Sequence, residues 1–274
     1  MIDLHLHTTA SDGTLSPATL IARAAAAGLT VVSVTDHDTV AGLAEARDAA
    51  ARHGVRLVNG VEITAVEDRR DVHMLGYFID PDDAGLSAFL ERQRADRIRR
   101  VRDIADRLRS LGHPIDVDEL LTSASAEAGR SIGRPQVAAA LVAAGHARDR
   151  NDAFDRFIGH NCQAYVPRCG PTPDDVIAIV GKAGGIVSLA HPGLTKIDAI
   201  IARLVSAGLT ALEVRHSDHE IEVERHYRGL AAAHGIVASG GSDYHGDSGH
   251  RAASLGAVTL PQEDFAALES RAVK

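Results

Sequence analysis

The sequence predicts an α/β protein, a barrel of alternating strands and helices interrupted by a helical insertion. Short, β-branched apolar runs alternate with amphipathic helical segments up to about residue 80, and again after residue 171. That spacing marks βαβ units and a parallel sheet. Between the two stretches the pattern is helical almost throughout. A chain of 274 residues has room for one such barrel plus an insertion.

Taken in order, residues 2–7 read as a strand and residues 16–27 as a helix. Ser16 is its N-cap, Pro17 its first position and Gly28 lies just past its end. Residues 31–35 form a second strand, and residues 42–53 a helix that stops at Gly54. Residues 57–63 and 72–78 supply two more strands. A long arginine-dense helical pattern covers about residues 86–111, followed by helical fragments at 117–121, 135–144 and 151–158. Alternation resumes with a strand at 164–167, a helix at 173–183, a strand at 186–190, a helix at 197–207 and a strand at 211–214. A helix at 220–234, strands at 236–239 and 257–260, and a short helix complete the chain. The expected organisation is barrel over 1–97, helical insertion over 98–165 and barrel again over 166–274.

Apolar residues at 45% and charged residues at 24% are ordinary for a globular protein. Aromatics are only 3% and tryptophan is absent, so packing must come from Ala, Val, Leu and Ile. A net charge of −8 argues against broad electrostatic capture of nucleic acid. It leaves room for a nucleotide or the end of a short strand, because bound metal would add local positive charge. Cys162 and Cys169 are expected to be free thiols in a reducing compartment. With no leader-like opening and no apolar run of membrane-spanning length, the expected location is the cytoplasm.

Metal-binding side chains recur where the strands end, which is where barrel active sites sit. The first strand carries His5 and His7, two residues apart and so on one face, with Asp12 in the next loop. The second runs into Asp36, His37 and Asp38. Glu62 and His73 fall on the next two, His191 and His216 follow two later strands, and Asp243 and His245 follow another. Imidazole and carboxylate without thiolate suit Zn²⁺, Mn²⁺ or Fe²⁺. Isolated histidines at 53, 113, 146, 160, 226, 234 and 250 read as surface or satisfied core positions. The arginine-rich helix, with Arg92, Arg94, Arg97, Arg99, Arg100 and Arg102, reads first as a solvated face paired to Asp96, Asp103 and Asp106, with a phosphate-facing role as the lesser alternative.

Several stretches resemble the PHP (polymerase and histidinol phosphatase) superfamily, in the family's order. They are DLHLHTTASDG at 3–13, TDHD at 35–38, GVEI at 60–63, HMLGY at 73–77, AHPG at 190–193 and SDYH at 242–245. Within the helical region, SIGRPQ at 131–136 and DRFIG at 155–159 are similar to a subgroup of small bacterial PHP phosphoesterases. That subgroup includes enzymes acting on 3′,5′-bisphosphonucleotides and on the 5′ ends of short RNAs. The resemblance implies a distorted TIM-like (β/α)7 barrel around two to three divalent ions. His5, His7, Glu62 and Asp243 would hold the first ion. Glu62 would bridge to a second held by His73 and His191, and Asp12, His37 and His245 would hold a third. Gln136 departs from the subgroup, which often has His there.

The implied activity is hydrolysis of phosphomonoesters of nucleotides, with 5′-phosphorylated short RNA as a further substrate. Arg134 is the expected phosphate clamp, since a guanidinium matches phosphate oxygens in bidentate geometry. Its plain alternative is a surface arginine at a helix start. His216 and His219 are expected to bind a second phosphate or protonate the leaving group. Asp36 and Asp38 could orient metal-bound imidazoles, or Asp38 could cap a helix. Rival readings are a histidinol-phosphate phosphatase, an amidohydrolase-like C–N hydrolase and a degenerate, non-catalytic module. The C–N reading typically needs a lysine between metals, and none of Lys182, Lys196 and Lys274 ends an expected strand.

Overall fold

The computed structural model describes residues 1–126, 129–247 and 251–272. Strands β1 (Ile2–Leu6), β2 (Val31–Val34), β3 (Arg56–Glu67), β4 (Arg70–Tyr77), β5 (Ile186–Leu189), β6 (Ala211–Arg215) and β7 (Val237–Gly240) lie side by side in chain order. The backbone N–H of His7 donates to Tyr244 O at 3.0 Å, bringing the two edges together. The result is a seven-stranded, nearly closed barrel flanked by helices. This is the distorted TIM-like architecture expected of the sequence.

Local sequence accounts for the flanking helices. Helix α1 (Pro17–Ala26) is capped by Ser16, whose side chain accepts from Thr19 N, with Pro17 in its first turn. Helix α2 (Leu43–His53) ends on Gly54 in the left-handed conformation at φ 66°. Both bury an apolar stripe of Leu20, Ile21, Ala24, Leu43, Ala46 and Ala50 against β1 and β2.

Three expectations need correction. The sheet is not all parallel: β4 runs antiparallel to both β3 and β5. The reason is the turn at Asp68 and Arg69, both at positive φ, which makes β3 and β4 a hairpin with no room for a crossover helix. Strand β3 therefore continues past residue 63 to Glu67. The strands expected at 164–167 and 257–260 are absent. Those segments make isolated backbone bonds, such as Leu260 N to Ile2 O at 2.8 Å, without a ladder.

Helix α3 (Ala84–Ser110) is 27 residues long and belongs to two cores. Its Leu86, Phe89 and Leu90 pack into the barrel with Val61, Ile63 and Val180. Its Val101, Ile104, Ala105 and Leu108 pack into a second core. Helices α4 (Asp118–Ala126), α5 (Arg134–Ala143) and α6 (Arg150–Ala153), with the π-turn Phe154–Ile158, complete that second core. Alternation then resumes through α7 (Pro173–Lys182), α8 (Pro192–Thr195), α9 (Ile201–Ala207) and α10 (Ile221–Ala233), ending in α11 (Gln262–Ala272).

Candidate metal centre

The barrel geometry gathers one end of every strand at a common mouth. His5 lies on β1 with His7 just beyond it, His37 follows β2, His191 follows β5, and Asp243 and His245 follow β7. Because β4 is reversed, His73 sits in its first half yet faces the same end, paired in register with Thr64. Glu62 lies between the groups. Its Oε1 is 2.9 Å from His73 Nδ1 and 3.2 Å from His191 Nε2. Its Oε2 is 3.4 Å from His5 Nε2, 3.3 Å from His7 Nε2 and 2.9 Å from His37 Nδ1. Asp243 Oδ1 lies 3.4 Å from His5 Nε2 and 3.1 Å from His7 Nε2. Asp12 is 3.6 Å from His37 and 3.4 Å from His245. All nine side chains singled out in the sequence thus share one cluster.

These donors face one another without satisfying one another. His5 Nε2, both ring nitrogens of His7, His37 Nδ1 and Glu62 Oε2 are buried and make no directed hydrogen bond. Burial disfavours a charged His7, yet Asp243 and Glu62 outweigh it and lift its pKa to about 10. Burial likewise opposes ionisation of Asp12, Glu62 and Asp243, but the surrounding imidazoles hold all three well below the usual carboxylate range. Such a site demands positive charge. A divalent ion supplies it in place of protons, and unpaired buried lone pairs are what such an ion uses. The donor set therefore fits divalent metal.

A profile of the PHP domain matches residues 3–147. A 3′,5′-nucleoside bisphosphate phosphatase of Chromobacterium violaceum is 34% identical over 89% of this chain and 87% of its own length. The chain belongs to the PHP family. The 5′-3′ exoribonuclease Rnm of Escherichia coli is 33% identical over 89% of this chain and 84% of its own. A solved structure from Bifidobacterium adolescentis, described as a metal-dependent phosphoesterase, superposes with a TM-score of 0.89. It is 37% identical and covers 100% of this chain and 96% of its own. This PHP protein is a hydrolase acting on phosphate esters, and it binds divalent metal.

Around the PHP cluster, several side chains take positions that differ from expectation. His219 donates from Nδ1 to Val214 O at 2.9 Å and accepts at Nε2 from Gly193 N at 3.2 Å. Neither nitrogen is left for a substrate or a leaving group, and His219 is structural. His216 is also committed: Nδ1 accepts from Asp218 N at 3.1 Å, and Nε2 faces Asp243 Oδ2 at 3.3 Å. It orients a carboxylate of the cluster and lies outside the cleft lining. Asp36 accepts from Thr8 and Ser11, fixing the first loop, and Asp38 pairs with Arg97 and Arg168. Neither orients an imidazole, and Asp38 caps no helix. The side chain of Gln136 is held by backbone, accepting from Gly133 N and donating to Ser11 O. Lys182 ends α7 and Lys196 follows α8, and neither lines the recess or the cleft beside the cluster. His146 bonds Pro114 O and His226 pairs with Asp198, as expected of ordinary surface histidines. His250 and Lys274 lie outside the described residues.

Sequence reasoning missed two features. The first is Glu213, fully buried on β6, which accepts from His5 Nδ1 at 2.8 Å and from His191 N at 2.7 Å. The available signal was an acid inside an otherwise apolar strand. Such a partner fixes the ring orientation and tautomer of a ligating histidine. Glu213→Gln is expected to weaken metal binding or turnover about 10- to 100-fold, read as metal content and kcat against added Mn²⁺. Unchanged values for both would remove this role.

The second is which arginines of the long helix are buried. Arg99 and Arg109 are solvated and pair with Asp96, Asp103 and Asp106, as expected. Arg97 and Arg100 are buried instead, and they line a recess beside the cluster together with Arg134 and Arg168. Gly133 makes room there, since a Cβ at that position would lie 2.9 Å from Arg97 Nη1. Arg134 is a quarter exposed, stacks near Phe154 and Tyr165, and lines both the recess and the open cleft.

Proposed function

We propose that this chain removes terminal phosphate from nucleotides, 3′,5′-bisphosphonucleotides foremost, at a centre of three divalent ions, Mn²⁺, Zn²⁺ or Fe²⁺. His5, His7, Glu62 and Asp243 hold the first ion in this reading. Glu62 reaches a second with His73 and His191, and Asp12, His37 and His245 hold the third. One oxygen of Glu62 turns to His73 and His191 and the other to His5, His7 and His37, which supports a division in which the third ion adjoins the first. When bound, the ions supply Lewis acidity, which activates water near neutral pH and neutralises phosphate charge.

The chain's own groups do the rest. Glu213 holds the His5 ring and His216 holds the Asp243 carboxylate, so the donors do not reorganise on binding. Arg134, at the join of recess and cleft, grips phosphate oxygens through its planar fork. Phosphoryl transfer asks mainly for positioning and charge neutralisation, which this arrangement provides. The helical region 98–165 forms the roof, with Asp149, Arg150, Asn151 and Phe154 lining the cleft opposite the cluster.

The observation that carries the reading is the contact of the histidine–carboxylate cluster with an arginine-lined recess, in a cleft of 810 Å³. Ligand pockets run to about 300–1,000 Å³, so a nucleotide fits. The name of the Chromobacterium relative favours a bisphosphonucleotide, and that of the Escherichia relative supports a second reading, attack on 5′-phosphorylated short RNA.

Phosphate release should be measured across nucleoside mono- and bisphosphates, histidinol phosphate and 5′-phosphorylated oligoribonucleotides in Mn²⁺. The bisphosphonucleotide is expected to give the highest kcat/KM. A preference for histidinol phosphate, or for RNA ends alone, would replace this assignment.

A further inference from the structure

The segment after β6 turns back on itself. His219 N donates to His216 O at 3.0 Å, and Asp218 N donates to His216 Nδ1 at 3.1 Å. A neutral imidazole that accepts at Nδ1 carries its proton on Nε2. His216 is therefore a donor towards Asp243 Oδ2, 3.3 Å away. Asp218 has a second task. Its Oδ2 accepts from Arg251 Nη2 and, at 3.1 Å, from Arg251 Nε, while Arg251 Nη1 donates to the same Asp243 Oδ2. The Arg251 backbone is tied as well, its carbonyl accepting from Ser254 N at 3.0 Å and from Ser254 Oγ at 2.7 Å. His216 and Arg251 thus reach one oxygen from two segments of the chain, and Asp218 steers both.

The other oxygen of Asp243 has different surroundings. Oδ1 lies 3.4 Å from His5 Nε2 and 3.1 Å from His7 Nε2. His5 donates from Nδ1 to Glu213, which leaves a lone pair on Nε2. Lone pair facing lone pair calls for a cation between them, so Oδ1 is the metal-facing oxygen and Oδ2 the partnered one. Arg251 lines the cleft, yet its side chain is only 18% exposed and each of its three nitrogens already meets a carboxylate. A guanidinium committed in this way has no free fork to offer a substrate. It is part of the wall.

We propose that Arg251, anchored by Asp218, is a positioning residue that locks the Asp243 carboxylate and confines it to holding the first ion through Oδ1 alone. A carboxylate restrained only on its metal-facing side is free to rotate and present both oxygens. Two donors on Oδ2 oppose that rotation, and the one from Arg251 is charge-assisted, hence among the stronger kind. The proposal rests on the placing of Asp243 at the first ion, and it deepens that reading by naming what aims the carboxylate.

Metal affinity tests it without recourse to turnover. Protein stripped with EDTA and then dialysed is titrated with Zn²⁺ against a chromophoric chelator, with melting curves in EDTA to confirm that each variant is folded. Arg251→Met is expected to hold one ion about tenfold or more weakly than the wild type. Arg251→Lys keeps the charge but brings one nitrogen where arginine brings three, and is expected to recover part of the loss. Asp218→Asn removes the anchor and leaves both Arg251 and Asp243 in place. It is expected to weaken the same ion, and, combined with Arg251→Met, to add nothing to the loss from Met alone, since the two residues act as a unit.

Tighter binding in Arg251→Met would make Arg251 a rival of the metal for Asp243, and equal binding in a folded Met variant would make it a bystander. Either result overturns the proposal. So do full recovery by Lys, which would reduce the role to charge alone, and fully additive losses in the double variant. A wild type that retains no Zn²⁺ would instead remove Asp243 from any ion, and the clamp with it, which keeps the two failures apart.

Discussion

Asp243→Asn is expected to lose more than about 100-fold in turnover while the protein stays folded, exceeding the 10- to 100-fold typical of groups one shell further out. Asp243 meets more of the cluster than any acid except Glu62, approaching His5, His7, His245 and His216 and accepting from Arg251. Its backbone is left-handed at φ 51°, a conformation that Asn also tolerates. The change therefore removes charge from a metal-binding oxygen with little backbone strain. Burial opposes the ionised form, and the imidazoles of His5 and His245 overcome it. Asn abolishes that charge at every pH. Elemental analysis should find fewer ions per chain, with a melting curve close to the wild type recorded in EDTA. Full activity in a variant of normal metal content would remove Asp243 from the site.

Asp38→Asn should instead reduce stability, by about 3–5 kcal/mol, the usual effect of leaving buried charges without a partner. Asp38 has no exposed surface and receives the guanidiniums of both Arg97 and Arg168. Asn keeps the shape, the left-handed backbone and an acceptor for Thr64 N, but removes the charge. At roughly 2–4 °C per kcal/mol for chains of this size, the melting temperature falls by about 6–20 °C. Burial alone would raise the Asp38 pKa, yet Arg168 and Arg97 hold it well below the usual range. A carboxyl depressed in the fold stabilises fully above its unfolded pKa of about 4 and loses that contribution as the pH falls towards the folded value. The gap between wild type and variant should therefore be widest at neutral pH and narrow in acid. A gap independent of pH would assign the stability to packing instead.

The parts of the molecule written in alternation are legible in the chain itself. The strands bearing His5, Glu62 and His73 follow from short apolar runs, and α1 from Ser16 and Pro17. The metal cluster is legible because strand ends in a barrel converge, so residues far apart in the chain are gathered by topology alone. The reversal of β4 is not, because a hairpin and a crossover leave the same apolar pattern in a strand. Only the turn at Asp68 and Arg69 distinguishes them. The role of Arg97 and Arg100 is hidden for a related reason. Their neighbours Arg99 and Arg102 carry the same charge on the same helix, and burial depends on partners, Asp38 and Asp71, that lie on other elements. His216 and His219 mark the mouth correctly, but the backbone contacts that occupy their nitrogens are invisible in a one-dimensional pattern.

Helix α3 is a strut as well as a wall. One unbroken rod is clamped into the barrel at its start and into the roof at its end, with Arg97 and Arg100 riding on the span between. At that attachment the roof cannot swing away like a flap unless the rod bends mid-span or those arginines tear from Asp38 and Asp71. The rod therefore sets the spacing between the metal-binding floor and the roof on this side of the entrance.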